Sequence, residues 1–465
     1  MTIKKNNLNK TFNRGAIITL VLVFGGIFLI LFGGLLNFIL LQHRQSLEKV
    51  VWNETLEIAE AGINYAYWHL LHDSDDYNFN LIKDYEVEGE IVGQYQLEIT
   101  PPNDCFPNAE IKSTGWLLDF PNLKRAVKGV YGKSPLSRYA FLTDSNVWFG
   151  SSEEVRGLLH SNGGIRMDGS QNSLFSSFKE TYTCQPEHGC SPAQVKAGIW
   201  GEGQGGEDGL WDFPASKEDF TTILENLDEL KQKSQPNYYF GDSGVEGYWI
   251  EFLGDEFKIS EVTELKDPVW GWDMEKWVEE SGSINSYQEI GIYPLPPNCE
   301  PIFIEDNLWV NGTIQGRATV IAAKLPYIPE SAAKIIINGN IEYDGAHSVL
   351  GLIAQKDILI PLRIQDDPLK IRAALLAKEG RVIRYYYPFW DTEPYQTYSI
   401  QNSIEINGSI ISKKEWTFTW VDEEQIVISG YIQTKINPSS ELLFQPPPHF
   451  PVTDNSMFIK WEEED

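Results

Sequence analysis

The chain has 465 residues, enough for about three structural units of roughly 100 to 200 residues each. With 42% hydrophobic and 13% aromatic residues it is too apolar to remain disordered. Its 37 basic and 66 acidic residues leave a formal charge of -29, which repels phosphate backbones and argues against any nucleic-acid partner.

Residues 1–15 form a basic cytoplasmic leader, with Lys4, Lys5, Lys10 and Arg14 and no acidic side chain. From Ala16 to Gln42 nothing is charged, and this 16–42 run exceeds the ~20 helical residues that cross a hydrocarbon core. A positive leader before a span predicts a cytoplasmic N-terminus and an extracellular or periplasmic remainder, a single-pass membrane protein. A secretory signal would have a shorter apolar region and a small-residue cleavage site, which the flank HRQSLEKVVW does not offer. Leu47, Val51, Thr55, Ile58, Gly62, Ala66 and Leu70 then recur at three- and four-residue spacing, predicting one helix from 16 to about 72. Within it, Ala59, Gly62 and Ala66 make a narrow stripe for helix packing, against which a sheet or a second helix can approach closely.

The leader ending in Arg14-Gly15, the apolar span and the helix LEIAEAGINYAYWHL (56–70) resemble type IV pilin-like proteins, specifically PilX-type minor pilins involved in pilus assembly. The resemblance implies prepilin-peptidase cleavage between Gly15 and Ala16, and packing of the N-terminal helix among other pilin-like subunits. Leu20 stands where pilins usually carry glutamate, a departure shared with tip-forming minor pseudopilins. The resemblance therefore implies a tip or accessory position.

Residues 84–132 alternate with period two between Gly and Pro-Asn breaks, predicting about four strands on the helix, so that 43–134 form a pilin-like α+β layer. Residues 135–465 read as an exported β-rich domain, and the whole chain as mainly β with a long N-terminal helix. Asn-Gly-x-Ile recurs at Asn311, Asn338 and Asn407, and the runs GLIA and AALLA look like flat rungs. These features favour a β-solenoid-like stack with repeated turns over the alternative β-sandwich of independent hairpins. A helix-containing insertion is expected at about 180–300. Its helix is capped by Ser216 with Asp219 three residues on, and runs through Phe220, Ile223, Leu224, Leu227 and Leu230; the remainder is loop.

An even cysteine count in an exported chain predicts disulfides: Cys184 with Cys190 across a short turn-rich loop, and Cys105 with Cys299 by elimination. His69 and His72 share a helix face beside Asp73, Asp75 and Asp76, but without metal-site spacing they read as a solvated helix end. GDSG (241–244) lacks a triad's base, GKS (132–134) lacks the phosphate-loop glycine, and GEGQGG follows no apolar strand. No enzyme, cofactor or metal is expected. Tyr385, Tyr386, Tyr387, Phe389 and Trp390 crowd one loop, and Trp416, Phe418 and Trp420 alternate along a strand. They are core filling or a binding surface for a surface glycan or protein. The C-terminal EEED reads as a solvated tail. The expected function is that of a membrane-anchored minor pilin-like protein in pilus assembly or tip adhesion. The alternatives are a single-pass structural surface protein and a polysaccharide-acting β-solenoid enzyme.

Overall fold

A computed structural model of the protein describes residues 14–206, 208–220, 227–345, 347–390, 392–422 and 424–464. Two compact units are present. One is built from the chain up to Ile99, Ile111–Gly129 and Trp461 onward, the other from Thr100–Glu110 and Val130–Lys460.

The first unit begins with helix α1, Arg14–His72, 59 residues long. No proline occurs before Pro101, so nothing in the sequence removes a helical donor along this length. The polar run after His72 ends it: Asp73 donates its N–H to the His69 carbonyl, and His69 Nε2 meets Asp76 Oδ2 at 2.9 Å. Side chains from Ile17 to Leu41 are exposed, whereas Val51, Thr55, Ile58, Ala59, Ile63, Ala66 and Leu70 are buried along one face.

That face covers an antiparallel sheet of β1 (Leu81–Val87), β2 (Glu90–Thr100), β3 (Ala109–Leu117) and β4 (Lys124–Pro135). β1 and β2 turn at Glu88-Gly89, both with positive φ (54° and 90°), as the right-handed twist of a tight hairpin requires. β2 buries Gly93, Tyr95, Leu97 and Ile99 in alternation, the pattern of a sheet with one face covered.

The sheet has a fifth strand, Val452–Glu464, next to β4. This corrects the reading of the acidic end as a solvated tail. Arg125 Nε donates to Glu463 Oε1 at 2.6 Å, and Glu464 pairs with Lys112 at 2.6 Å and Lys128 at 2.7 Å. Hydrogen bonds from those two lysines hold the Glu464 carboxyl below its usual range. Glu463 and Glu464 thus meet cations on β3 and β4, and the first unit is not confined to residues before 135.

The second unit is a stack of short parallel strands in two long ladders. In one, Ile302, Val320, Leu352, Leu375, Ile410, Phe141, Leu159 and Phe175 form a single column of paired positions, all buried. In the other, Ile341, Ile371, Ile406, Ile436 and Val155 do the same. Val349–Ala354 and Ala374–Ala377 are buried at every position, which explains their unbroken apolar runs. A three-stranded sheet of Val147–Phe149, Ile165–Met167 and Ile199–Trp200 accompanies the ladders. Successive turns of the chain, here called coils, are stacked through this parallel pairing.

Coil order does not follow chain order. Spatially the first ladder runs from Tyr239–Phe240 up to Ser409–Ser412, then continues with Tyr139–Thr143 and ends at Trp211–Asp212. The earliest and latest coils of the unit are therefore neighbours, joined at a seam by Ile410↔Phe141 in one ladder and Thr434↔Glu153 in the other. Trp416 seals it, 5.1 Å from the ring of Phe141 and 5.4 Å from that of Phe149.

Two expectations for this region change. The stretch expected to be mostly loop at 180–300 holds the strands Gly247–Gly254, Glu256–Leu265 and Ile284–Pro294, the last two antiparallel extensions of the second ladder. The described helix is α2, Leu227–Ser234, and residues 216–219 are not helical. Asn162 Oδ1 accepts the Glu218 N–H at 3.0 Å, so a side chain from a distant coil takes the backbone group that a cap would have engaged. Ile223 and Leu224 lie outside the described residues. The Asn-Gly pairs also differ from a repeated turn. Asn311-Gly312 and Asn338-Gly339 sit inside the strands Leu308–Ile314 and Ile335–Tyr343, where the ladder slips register after Val310, and only Asn407-Gly408 falls between strands. The extra residues at the slip lie on Ile335–Tyr343, between Ile337 and Ile341, which places Asn338-Gly339 in the bulge.

Candidate functional site

α1 contains the first candidate site. Its apolar half is long and hydrophobic enough to cross a membrane, by length and composition. Gly15 and Ala16 lie in this helix, and Leu20 is exposed. Ala59 and Ala66 are fully buried, and the packing partner of the stripe is the unit's own sheet. A Cβ on Gly115 would lie 2.5 Å from the Ala59 nitrogen and 2.6 Å from the Thr55 carbonyl oxygen. A Cβ on Gly62 would lie 2.8 Å from the Tyr95 ring. Gly115 thus permits backbone-to-backbone approach, and Gly62 leaves room on the helix for the Tyr95 and Ser113 side chains. Burial there pushes the Tyr95 hydroxyl up to about 12.

Both disulfides lie within the second unit: Cys184–Cys190, six residues apart, and Cys105–Cys299, 194 apart. Arg317 tethers the latter, donating through Nε to the Cys105 carbonyl at 3.2 Å and through Nη2 to the Pro446 carbonyl at 2.6 Å. Burial lowers the Arg317 guanidinium to about 10.

The aromatic loop does not form one surface. Tyr385 and Tyr387 are buried in a small core with Val269, Leu362 and Tyr395, and Tyr387 donates its hydroxyl to the buried Glu280 at 3.0 Å. Tyr386 packs edge-on against Trp277 and Trp420, while Phe389 and Trp390 are exposed. Trp416 and Phe418 belong to the main core, and Trp420 alone of that trio is partly exposed. Ser243 of GDSG donates to Asp306 at 2.6 Å as part of a turn. Among the described residues no group of three His, Cys, Asp or Glu side chains could hold a metal ion.

A cleft at the seam escaped the sequence reading. Trp148, Ser151, Ser152 and Glu153 of the earliest coil face Glu415, Thr417, Thr419 and Trp420 of the latest, around a cavity of about 120 Å³. No local signal marks it, because its halves are brought together only by the coil order.

No protein family model matches the sequence. No curated protein matches it. Among solved structures, the chain is similar to the crystal structure of the competence-associated pilin ComZ from Thermus thermophilus, at 13% identity with a TM-score of 0.27, across 88% of this chain and 96% of that one. At that score the two folds do not superpose as wholes.

Proposed function

We propose that this chain is a minor pilin-like subunit of a type IV pilus machine, held in the membrane by the first half of α1 and exporting everything after it. One observation carries the reading. A single uninterrupted helix presents an exposed apolar half, and through its other half it packs small residues on an antiparallel sheet. The leader and the AEAG stretch support a PilX-type identity, with cleavage between Gly15 and Ala16. The size of the second unit favours a tip or accessory position, since laterally packed helices leave little room along a shaft for a body of more than 300 residues. The exported region has a binding or structural role and no hydrolytic activity. Leu20 favours a second reading, a plain single-pass anchor without a pilus role, because the residue pilins use at that position is absent.

N-terminal mass analysis of membrane-extracted protein separates the two. A mature start at Ala16 supports the pilin reading, and retention of residues 1–15 in cells with an active prepilin peptidase overturns it. Immunogold labelling of sheared pili then tests position: labels at fibre ends fit, and regular labelling along the shaft refutes the tip assignment.

A further inference from the structure

The seam cleft has the features of a ligand site, and these do not depend on the pilus reading. Its rings are held in place. Trp148 donates Nε1–H to Asp168 at 2.9 Å and has the Arg166 guanidinium 4.4 Å from its ring centroid, and Arg166 is itself paired with Asp168 at 2.7 Å. Trp420 donates Nε1–H to the Arg384 carbonyl at 3.1 Å and meets the edge of Tyr386 at 5.8 Å. Rings fixed in advance lose little freedom on binding.

Two buried polar groups belong to residues of the cleft wall. Trp416 is 3% exposed and lines the cavity, and its Nε1–H has no hydrogen-bond partner among the described residues. A buried indole N–H without a partner costs free energy unless a ligand or water satisfies it. Glu153, also buried, accepts the Gly150 N–H at 2.7 Å. Burial pushes its carboxyl up to about 8, so near neutral pH it keeps a proton to donate. Glu187 and Glu415 add carboxylates at the wall, Glu415 being held by His188 at 2.6 Å. Among the described lining residues there is no lysine or arginine, so an anionic ligand would find no countercharge. Indole platforms with donors and acceptors at the rim suit a ring that is apolar on its faces and carries hydroxyls at its edge. The cavity, about 120 Å³, approaches the ~150 Å³ that holds benzene in a protein interior, so a sugar ring would sit in it with its outer edge in solvent. A quaternary ammonium would suit the rings and carboxylates but offers no hydrogen bond to the polar groups of the rim, and it serves as a comparator.

We propose that this cleft binds one neutral pyranose ring of a polysaccharide, stacked against Trp148 and Trp420, with its hydroxyls bonded to the carboxyl groups of Glu153, Glu187 and Glu415.

The test is isothermal calorimetry on the full chain in a polyoxyethylene detergent, whose head group carries no sugar. The probes are cellotriose, maltotriose, laminaritriose, mannotriose and triacetylchitotriose, with trigalacturonate and tetramethylammonium as charged comparators. At least one neutral trisaccharide is expected to bind. Trp148→Ala or Trp420→Ala should weaken it by about tenfold or more. Ser152→Trp, which fills the cleft without removing any packing, should abolish binding at an unchanged melting temperature. If the tryptophan variants fail to fold, the exposed Glu187→Gln should still weaken binding several-fold, while Trp390→Ala, outside the cleft, should not. Binding of none of the neutral sugars, binding indifferent to Ser152→Trp, or preference for either charged comparator overturns the proposal.

Discussion

The two units hold their strands by opposite means. In the first, β2 and β3 bury one face against α1, and closeness is set by glycine: Gly115 on β3 meets the helix backbone, and Gly62 on the helix leaves room for Tyr95 and Ser113. In the second, strands such as Val349–Ala354 are buried on both faces, and cohesion comes from columns of stacked aliphatic side chains. A sheet with one covered face is sensitive to added volume at its closest approach, whereas a stack buried throughout is sensitive to volume removed.

Substitutions can break or sharpen this contrast. The largest effect is expected from opening the Cys105–Cys299 loop of 194 residues with Cys299→Ser, which should cost the second unit about 5 kcal/mol by the chain-entropy account, measured by denaturant unfolding. Next is the pH response of Glu153. Its folded-state acid lies above the ordinary 4.5, so the folded protein keeps a proton that the unfolded chain releases. Stability should therefore fall as pH rises from about 4.5 to about 8, by at most ~1.4 kcal/mol per pH unit, and level off above. Glu153→Gln should flatten that slope in melts across the window, and an unchanged slope would remove Glu153 as its cause. Leu375→Ala, in the middle of a column, should cost about 3 kcal/mol by leaving a cavity. Gly115→Ala should cost about 2 kcal/mol in the first unit by the opposite route, overpacking, read as faster amide exchange in β2 and β3. If Gly115→Ala proved neutral, the account of helix-to-sheet approach would fail. An effect of the same size, about 2 kcal/mol, is expected from Cys190→Ser, because its loop spans only six residues.

What could be read in advance follows from range. The α1 pattern, the alternation at Gly93, Tyr95, Leu97 and Ile99, and the flat runs at 349–354 and 374–377 are local, and periodicity exposes them. The cysteine pairings needed only parity and loop length. The strand Val452–Glu464 was misread because its acidic end looks like a solvated run until Lys112, Arg125 and Lys128 are placed beside it. Ser216 was misread as a cap because Asn162, from a remote coil, claims the Glu218 N–H. The aromatic loop mixed two fates, Tyr387 fully buried and Phe389 exposed, which spacing alone does not separate. The seam cleft was invisible for the same reason, since its two walls are remote in sequence.

The seam also fixes when the fold can finish. A ribosome delivers Tyr139–Thr143 long before Ser409–Ser412, yet these strands are hydrogen-bonded neighbours. Until the later strand arrives, the earlier arm keeps an open ladder edge, the kind of surface on which nascent chains misassociate. Such long-range pairing also slows folding. Completion thus waits for the later strand, and a chain stalled short of residue 409 carries an unsealed edge however well its earlier coils have formed.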